Sequence, residues 1–470
     1  MAPSSAPRKK PPTASATTVH LVSVGVSHAP AGSADVVDAL SKDIKSQSPD
    51  RLIAIGTEEG RENAERLVKL VGLKRGASEV VQLESAQSLE EAYRAANDLL
   101  RRLDEEGVPP ENIVIHYTAG TKVMSAGLVL AGVGHGCRCL RYLFSAGPGS
   151  GASSPVNVSS AAVRAEGDIR RATLLLRDFR FRSAADLLRT VDPSLLSDKS
   201  IDRWKSLKVL SGAYAAWDNF RVRRFLRDYR SLRGKIEAAR ELTLAPETLK
   251  ALDRIAKVDR SVGTYPVELI YDLYNNAVRR LMERRTDDAV VRLCRAGELF
   301  AQNLLMANFR IRTDDVEIRK VPPRQRVLFE ALRRLDDAKI KIGLRKSYEL
   351  LSYLGHPVGQ AFVQNDALSG ILAERRHVVL FHGTQPAQTR VAMELHDELL
   401  ALFRLEISDF SGAAARQQFP WIDNADVLTR LRAVKEEDTP VTSQEQPQKA
   451  PAASDRPRNA SPRKGRKTAR

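Results

Sequence analysis

Tyr117-Thr118-Ala119-Gly120-Thr121-Lys122-Val123-Met124-Ser125-Ala126-Gly127 follows the apolar run Ile113-Val114-Ile115 and precedes Leu128-Val129-Leu130-Ala131. That order predicts a strand, a small-residue loop and a helix. Small residues let a ligand approach the backbone, and the first helical N–H groups have no partner within the helix. With the helix dipole, the hydroxyls of Thr118 and Thr121 and the cation of Lys122, the loop has the makings of a phosphate seat. The same residues also suit an ordinary βα turn with a helix cap. The loop has neither the GxxxxGK[ST] nor the GxGxxG spacing. Gly132-Val133-Gly134-His135-Gly136 lies between a helix and the next strand, which is the wrong end for phosphate, and reads as a helix stop.

A second chemical grouping is Glu374-Arg375-Arg376-His377-Val378-Val379-Leu380-Phe381-His382-Gly383. On a helix, His382 falls on the same face as Arg375, and Gly383 supplies a stop. Such a pair can cleave a phosphodiester without metal: histidine moves a proton near neutral pH and arginine holds the charge developing on phosphorus. The attacking group in RNA would be its own 2′-hydroxyl. A solvated basic helix face with His382 capping carbonyls is the plainer alternative. His28, His116, His135, His356 and His396 form no second constellation in the sequence, and HExxH, GxSxG and paired CxxC are absent. Cys137-Arg138-Cys139 reads as strand packing rather than a metal site.

The elements that must position these groups fall into two halves. From Val19 the predicted strands are 21–26, 52–56, 80–83, 112–116 and 137–144. The predicted helices between them are 33–46 (capped by Ser33), 61–73, 88–103 and 121–133. Short buried strands alternating with helices argue for a parallel, doubly wound sheet, with ligands beyond the carboxyl ends of its strands. Three loops share that edge: Ser27-His28-Ala29-Pro30, Thr57-Glu58-Glu59-Gly60 and 118–122. The stretch 146–154 reads as a linker, beyond which the β signal fades. Helical spacing then recurs over 169–188, 204–229, 267–282, 286–306, 324–335, 345–354 and 391–405. Asp178-Phe179, Asp218-Asn219-Phe220 and Thr286-Asp287-Asp288 resemble helical-hairpin corners, too irregularly spaced for a repeat array.

Composition limits the alternatives. At 470 residues with 43% hydrophobic and 28% charged content, the chain has the make-up of a soluble globular protein of two or three domains. There is neither a membrane-length apolar run nor a signal-peptide core, and three cysteines suit a reducing cytoplasm. The net charge of +16 overstates nucleic-acid affinity. Arg8, Lys9, Lys10 and the seven basic residues from Arg456 onward carry ten of those charges on Pro/Ser/Ala-rich tails expected to be disordered.

The two motifs in this order resemble the CARF–HEPN proteins of type III CRISPR systems, in which a Rossmann-like sensor precedes an all-helical ribonuclease domain. Residues 117–126 are similar to that family's T-G-G-T-K-x-M-S-A signature, with Ala119 for the first glycine. Val24-Gly25-Val26-Ser27 and Ile55-Gly56-Thr57-Glu58 are similar to its first two strand-end loops. Residues 287–299 resemble its D-A-x-x-R-x-Y-R-A-x-E-L helix, with Cys294 for the usual tyrosine and Gly297 weakening the helix interior. Residues 344–351 form a further similar segment. Arg375 to His382 matches R-x(4–6)-H at its longest spacing, with Arg376 where the family most often has asparagine. The resemblance covers residues 19–410.

The resemblance implies a tail over 1–18, a CARF domain over 19–150, a helical connector over 155–262, a HEPN domain over 263–412 and a basic tail over 434–470. It implies a cytoplasmic homodimer that uses no cofactor or metal and meets no membrane. Cyclic oligoadenylate would bind across the CARF dimer on Gly25, Ser27, His28, Thr57, Glu58, Thr118, Ala119, Gly120, Thr121, Lys122 and Met124. Paired sets of Arg375 and His382, with Arg376, would then cleave single-stranded RNA without metal, leaving a 2′,3′-cyclic phosphate. Two other outcomes stay open: a sensor whose HEPN site is silenced by Arg376, and a ring nuclease that degrades its own ligand.

Overall fold

The computed structural model describes residues 17–26, 35–145, 153–232, 234–258, 264–336, 338–374 and 386–437. The chain divides into two compact units: one runs to Leu269 and includes Arg416–Ile422, and the other comprises Ile270–Ala415 and the chain from Asp423 onward.

In the first unit, strands and helices alternate: β1 (Val19–Val24), α1 (Val36–Ser46), β2 (Arg51–Thr57), α2 (Arg61–Val71), β3 (Ser78–Leu83), α3 (Leu89–Glu105), β4 (Ile113–His116), α4 (Lys122–His135), β5 (Cys139–Ser145) and β6 (Ser153–Ser159). The sheet order is β3-β2-β1-β4-β5-β6. The first five strands are parallel, as their alternation with helices predicts, and an apolar core lies on each face of the sheet. Successive side chains alternate between faces. Val19 and Leu21 join Ile113, Ile115 and Leu128 in one core, while Val22 and Val24 join Leu40, Ile44 and Leu67 in the other. Order reverses between β1 and β4, so the crevice where such sheets take ligands opens between the loops that follow them.

The α/β half departs from expectation at two places. The α1 cap is Asp35, whose carboxylate accepts from Val37 N at 2.9 Å, whereas Ser33 lies outside the described residues. The β signal also does not end at residue 146, because β6 pairs antiparallel with β5 along its whole length. Its exposed Ser, Pro and Asn positions hide the strand in the sequence, and Pro155 is tolerated because β6 is the sheet's edge.

The rest of this unit is helical: α5 (Ala161–Arg177), α6 (Phe181–Thr190), α7 (Asp198–Asp218), α8 (Val222–Arg230) and α9 (Pro246–Ala256). The spans 169–188 and 204–229, which read as continuous helical spacing, are each broken by a phenylalanine in left-handed conformation: Phe179 at φ 62° and Phe220 at φ 56°. The following residue closes the turn backwards, Arg180 N to Leu175 O at 2.8 Å and Arg221 N to Ala216 O at 2.7 Å, a Schellman-type stop without glycine. Arg416–Ile422 returns to this core. Phe419 is buried against Trp217 (ring centroids 4.8 Å apart) and Tyr214 (5.1 Å), and Trp421 Nε1 donates to Arg177 O at 3.0 Å.

The second unit is built around α10 (Val267–Met282), α11 (Thr286–Phe309), α12 (Arg326–Glu330), α13 (Leu344–Tyr353), α14 (Pro357–Gln364), α15 (Asp366–Glu374), α16 (Thr389–Arg404), α17 (Phe410–Ala415) and α18 (Asn424–Glu437). The predicted helix over 324–335 shrinks to α12, with Val327, Leu328 and Leu335 exposed, so no core holds a longer helix there. Among the described residues, no helix is long and apolar enough to cross a membrane.

Candidate functional site

The loops after β1, β2 and β4 meet backbone to backbone, and glycine makes this possible. A Cβ on Gly25 would lie 2.9 Å from Gly120 Cα and 3.4 Å from Thr121 N. One on Gly56 would lie 2.9 Å from Val24 O, and one on Gly60 would lie 3.2 Å from Gly25 Cα. Gly120 itself sits at φ 95°, where any side chain is strained, and a Cβ there would meet Ser23 at 3.0 Å.

Hydrogen bonds lock this arrangement. Ser23 Oγ donates to Ala119 O and lies 3.1 Å from Ser125 Oγ, while Asn63 Nδ2 donates to Gly25 O at 3.0 Å. Thr121 caps α4, accepting from Met124 N at 3.2 Å and donating to Ala86 O at 2.7 Å. Thr118 Oγ1 accepts from Leu143 N at 2.9 Å, tying the loop to β5. Both threonine hydroxyls therefore shape the loop. Ala119 and the Met124 side chain are buried in the two cores. Lys122 is exposed, and its amide and that of Val123 open the first turn of α4, where N–H groups have no acceptor within the helix. Thr57 is buried at the end of β2, and the exposed Glu58 lies 3.7 Å from Arg61. Ser27 and His28 lie outside the described residues. Ser23 and Asn63 were not singled out from the sequence, while Ser125 and Gly60 stood in the named motif and loop without an assigned role; the signal at Ser23 was a polar residue inside an apolar strand.

His116 does have a partner. Its Nε2 lies 3.0 Å from Nδ1 of His20 on the adjacent strand, beside Arg141, which pairs bidentately with Asp43 at 2.7 and 2.6 Å. Burial pushes the His20 imidazole down to about 4, with Arg141 adding to the effect and Asp43 opposing it. Burial, then His20 and Arg141, hold His116 well below its ordinary value. Both are neutral core residues near pH 7, one donating to the other. His396 is likewise engaged, 2.6 Å from the Tyr274 hydroxyl. Cys137 is buried and its thiol is pushed up to about 12 by that burial, which fits packing.

Arg375, Arg376 and His382 lie outside the described residues. Among the described ones, Ala387 N donates to Asp287 Oδ1 at 2.9 Å, fixing the chain five residues after His382 to the start of α11. Burial opposes ionisation of the neighbouring Asp288, but Arg292 (2.8 Å) and Arg285 (2.5 Å) hold its carboxyl below the usual range. Gly297 has a positive use: a Cβ there would lie 3.0 Å from Leu399 Cδ2, and its carbonyl accepts from the buried Tyr348 hydroxyl at 2.9 Å.

Residues 260–406 match the family model described as the Csm6 HEPN domain. Among solved structures, Enterococcus italicus Csm6 bound to cyclic hexa-2′-fluoro-hexa-dAMP is similar at TM-score 0.47 and 12% identity, over 90% of this chain and 100% of that one. No curated protein matches. The family match, together with the six-stranded α/β sheet that precedes the helical region, bears out the CARF–HEPN resemblance.

Proposed function

We propose that this chain, whose residues 260–406 match the Csm6 HEPN domain, is a single-stranded RNA endoribonuclease switched on by cyclic oligoadenylate. The observation that carries the sensing half is the crevice at the sheet's switch point. There Gly25 and Gly120 pack backbone to backbone and fix the loop leading into α4, whose first residue, Lys122, is exposed. Lys122 and the amides of Lys122 and Val123 hold the ligand phosphates, and Gly25, Ser27, His28, Thr57 and Glu58 are the further residues we assign to the ligand. The ligand acts as a switch only if it binds the cleaving arrangement better than the resting one. We assign both halves to a homodimer, so that two Arg375/His382 sets face each other.

In the HEPN domain the RNA 2′-oxygen attacks phosphorus and the P–O5′ bond breaks. The products are a 2′,3′-cyclic phosphate and a free 5′-hydroxyl. His382 moves the proton, and Arg375, with Arg376 beside it, holds the charge on the phosphoryl oxygens.

The test is cleavage of a fluorescent single-stranded RNA in EDTA, with and without cyclic tetra- or hexa-adenylate. Lys122→Ala and His382→Ala are run in parallel. Ring-dependent cleavage lost in both variants is the expected result. Ring binding without cleavage removes the nuclease half of the proposal. Cleavage that ignores every ring removes the switch.

A further inference from the structure

Beside the phosphate loop the sheet carries a feature that the motif does not explain. The last β4–β5 pair is His116 with Arg141; Tyr142 to Ser145 run on, paired only with β6. The β5–β6 hairpin therefore rises past the end of β4. Leu140 is buried in the core under α3 and α4, so Tyr142 and Phe144, two and four residues on, share its side of the sheet. That is the side on which α4 packs, and α4 starts at Lys122. Yet Tyr142 is 37% exposed and Phe144 53%, with Val156 beside Tyr142 at 42%. The Tyr142 ring is not loose: it stacks on Tyr117, the first residue of the phosphate loop, with centroids 5.4 Å apart and planes 24° apart. The Leu143 N to Thr118 Oγ1 bond fixes the same loop to the same strand. An exposed, pre-oriented aromatic face joined to a phosphate seat is the arrangement by which proteins hold nucleobases, since every base presents a π-face.

Building on the cyclic oligoadenylate reading, we infer that Tyr142, braced by Tyr117, is a base-stacking residue that holds an adenine of the ligand whose phosphates lie on the Lys122 loop. The sheet edge then recognises two chemically different parts of one nucleotide: phosphate by amides and cation, base by ring.

The test is calorimetric binding of cyclic tetra- and hexa-adenylate to the full chain and to Tyr142→Phe, Tyr142→Leu, Tyr142→Ala and Lys122→Ala. A ring carrying one 2-aminopurine reports stacking by fluorescence quenching. Loss of a base stack costs roughly tenfold to a hundredfold in Kd, expected for Tyr142→Ala and Tyr142→Leu, while Tyr142→Phe stays within about twofold. Lys122→Ala weakens binding but keeps the quenching at saturation. Unchanged affinity in Tyr142→Leu, while Lys122→Ala binds weakly, overturns the inference and leaves the sensor standing. Failure of every ring to bind the unmodified chain removes both. Weaker binding of Tyr142→Leu that accompanies a changed sedimentation coefficient also overturns it, by making this face a protein contact.

Discussion

Gly25→Ala tests whether the strand-end loops are as tightly pressed as the geometry requires. The backbone of Gly25 lies outside the positive-φ region, so alanine is conformationally acceptable and the penalty is contact alone. Its Cβ would stand 2.9 Å from Gly120 Cα, whereas ordinary contact begins at 3.4 Å, so the β4–α4 loop must retreat by at least 0.5 Å. Gly120 Cα is backbone, held by Ser23 and Ser125 at Ala119 O, so the loop cannot yield as a flexible side chain would. Overpacking of this kind costs about 1–3 kcal/mol. For a unit of this size that lowers the melting temperature by about 2–12 °C. All three tryptophans, Trp204, Trp217 and Trp421, belong to the sheet-containing unit, so intrinsic fluorescence follows its unfolding directly. On the proposed function, the displaced amides also weaken cyclic oligoadenylate binding by at least about tenfold, the worth of one charge-assisted hydrogen bond. Gly134→Ala is the matched control: the position is helical and exposed with nothing within 4 Å, so alanine leaves binding alone and stabilises by up to about 1 kcal/mol. A Gly25→Ala chain that melts and binds like the unmodified one refutes the close-packed crevice.

Acidification should destabilise the sheet. His20 and His116 are held below their ordinary value in the fold, so between pH 6.5 and about 4 the unfolded chain takes up protons that the folded chain refuses. Stability is therefore complete above pH 6.5 and falls as pH drops, by up to about 3 kcal/mol for His20 alone. Urea unfolding at pH 7.5 and pH 5 should show a smaller pH dependence in His20→Gln, and an equal one contradicts this account. Phe419→Ala should cost about 3–5 kcal/mol and shift tryptophan emission to the red, because the ring fills the core around Trp217 and Tyr214. Unchanged melting and emission would show that Arg416–Ile422 does not belong to that core.

Much of the site's local chemistry was legible in the chain because it acts over a few residues. Thr121 caps α4 three residues before the amide it accepts, Ser88 does the same for α3, and Gly136 ends α4 in left-handed conformation. Where local signals competed, the reading slipped: Asp35 took the cap expected at Ser33. The corners read at Asp178-Phe179 and Asp218-Asn219-Phe220 do break the helices, although the helical spacing runs smoothly through both. The edge strand β6 hid because a strand exposed on both faces needs no apolar alternation.

The order of strands and helices, the polarity of each loop and the cation at Lys122 were determined by the sequence by itself, through backbone propensity and hydrophobic period. Tertiary structure alone decided which distant residues meet. His20 faces His116 across 96 positions, Ser23 reaches Ala119 across the same span, and Tyr142 stacks on Tyr117 from the next strand. These contacts follow from the register of parallel strands, set when both faces of the sheet are buried at once, and no local window of sequence contains that information.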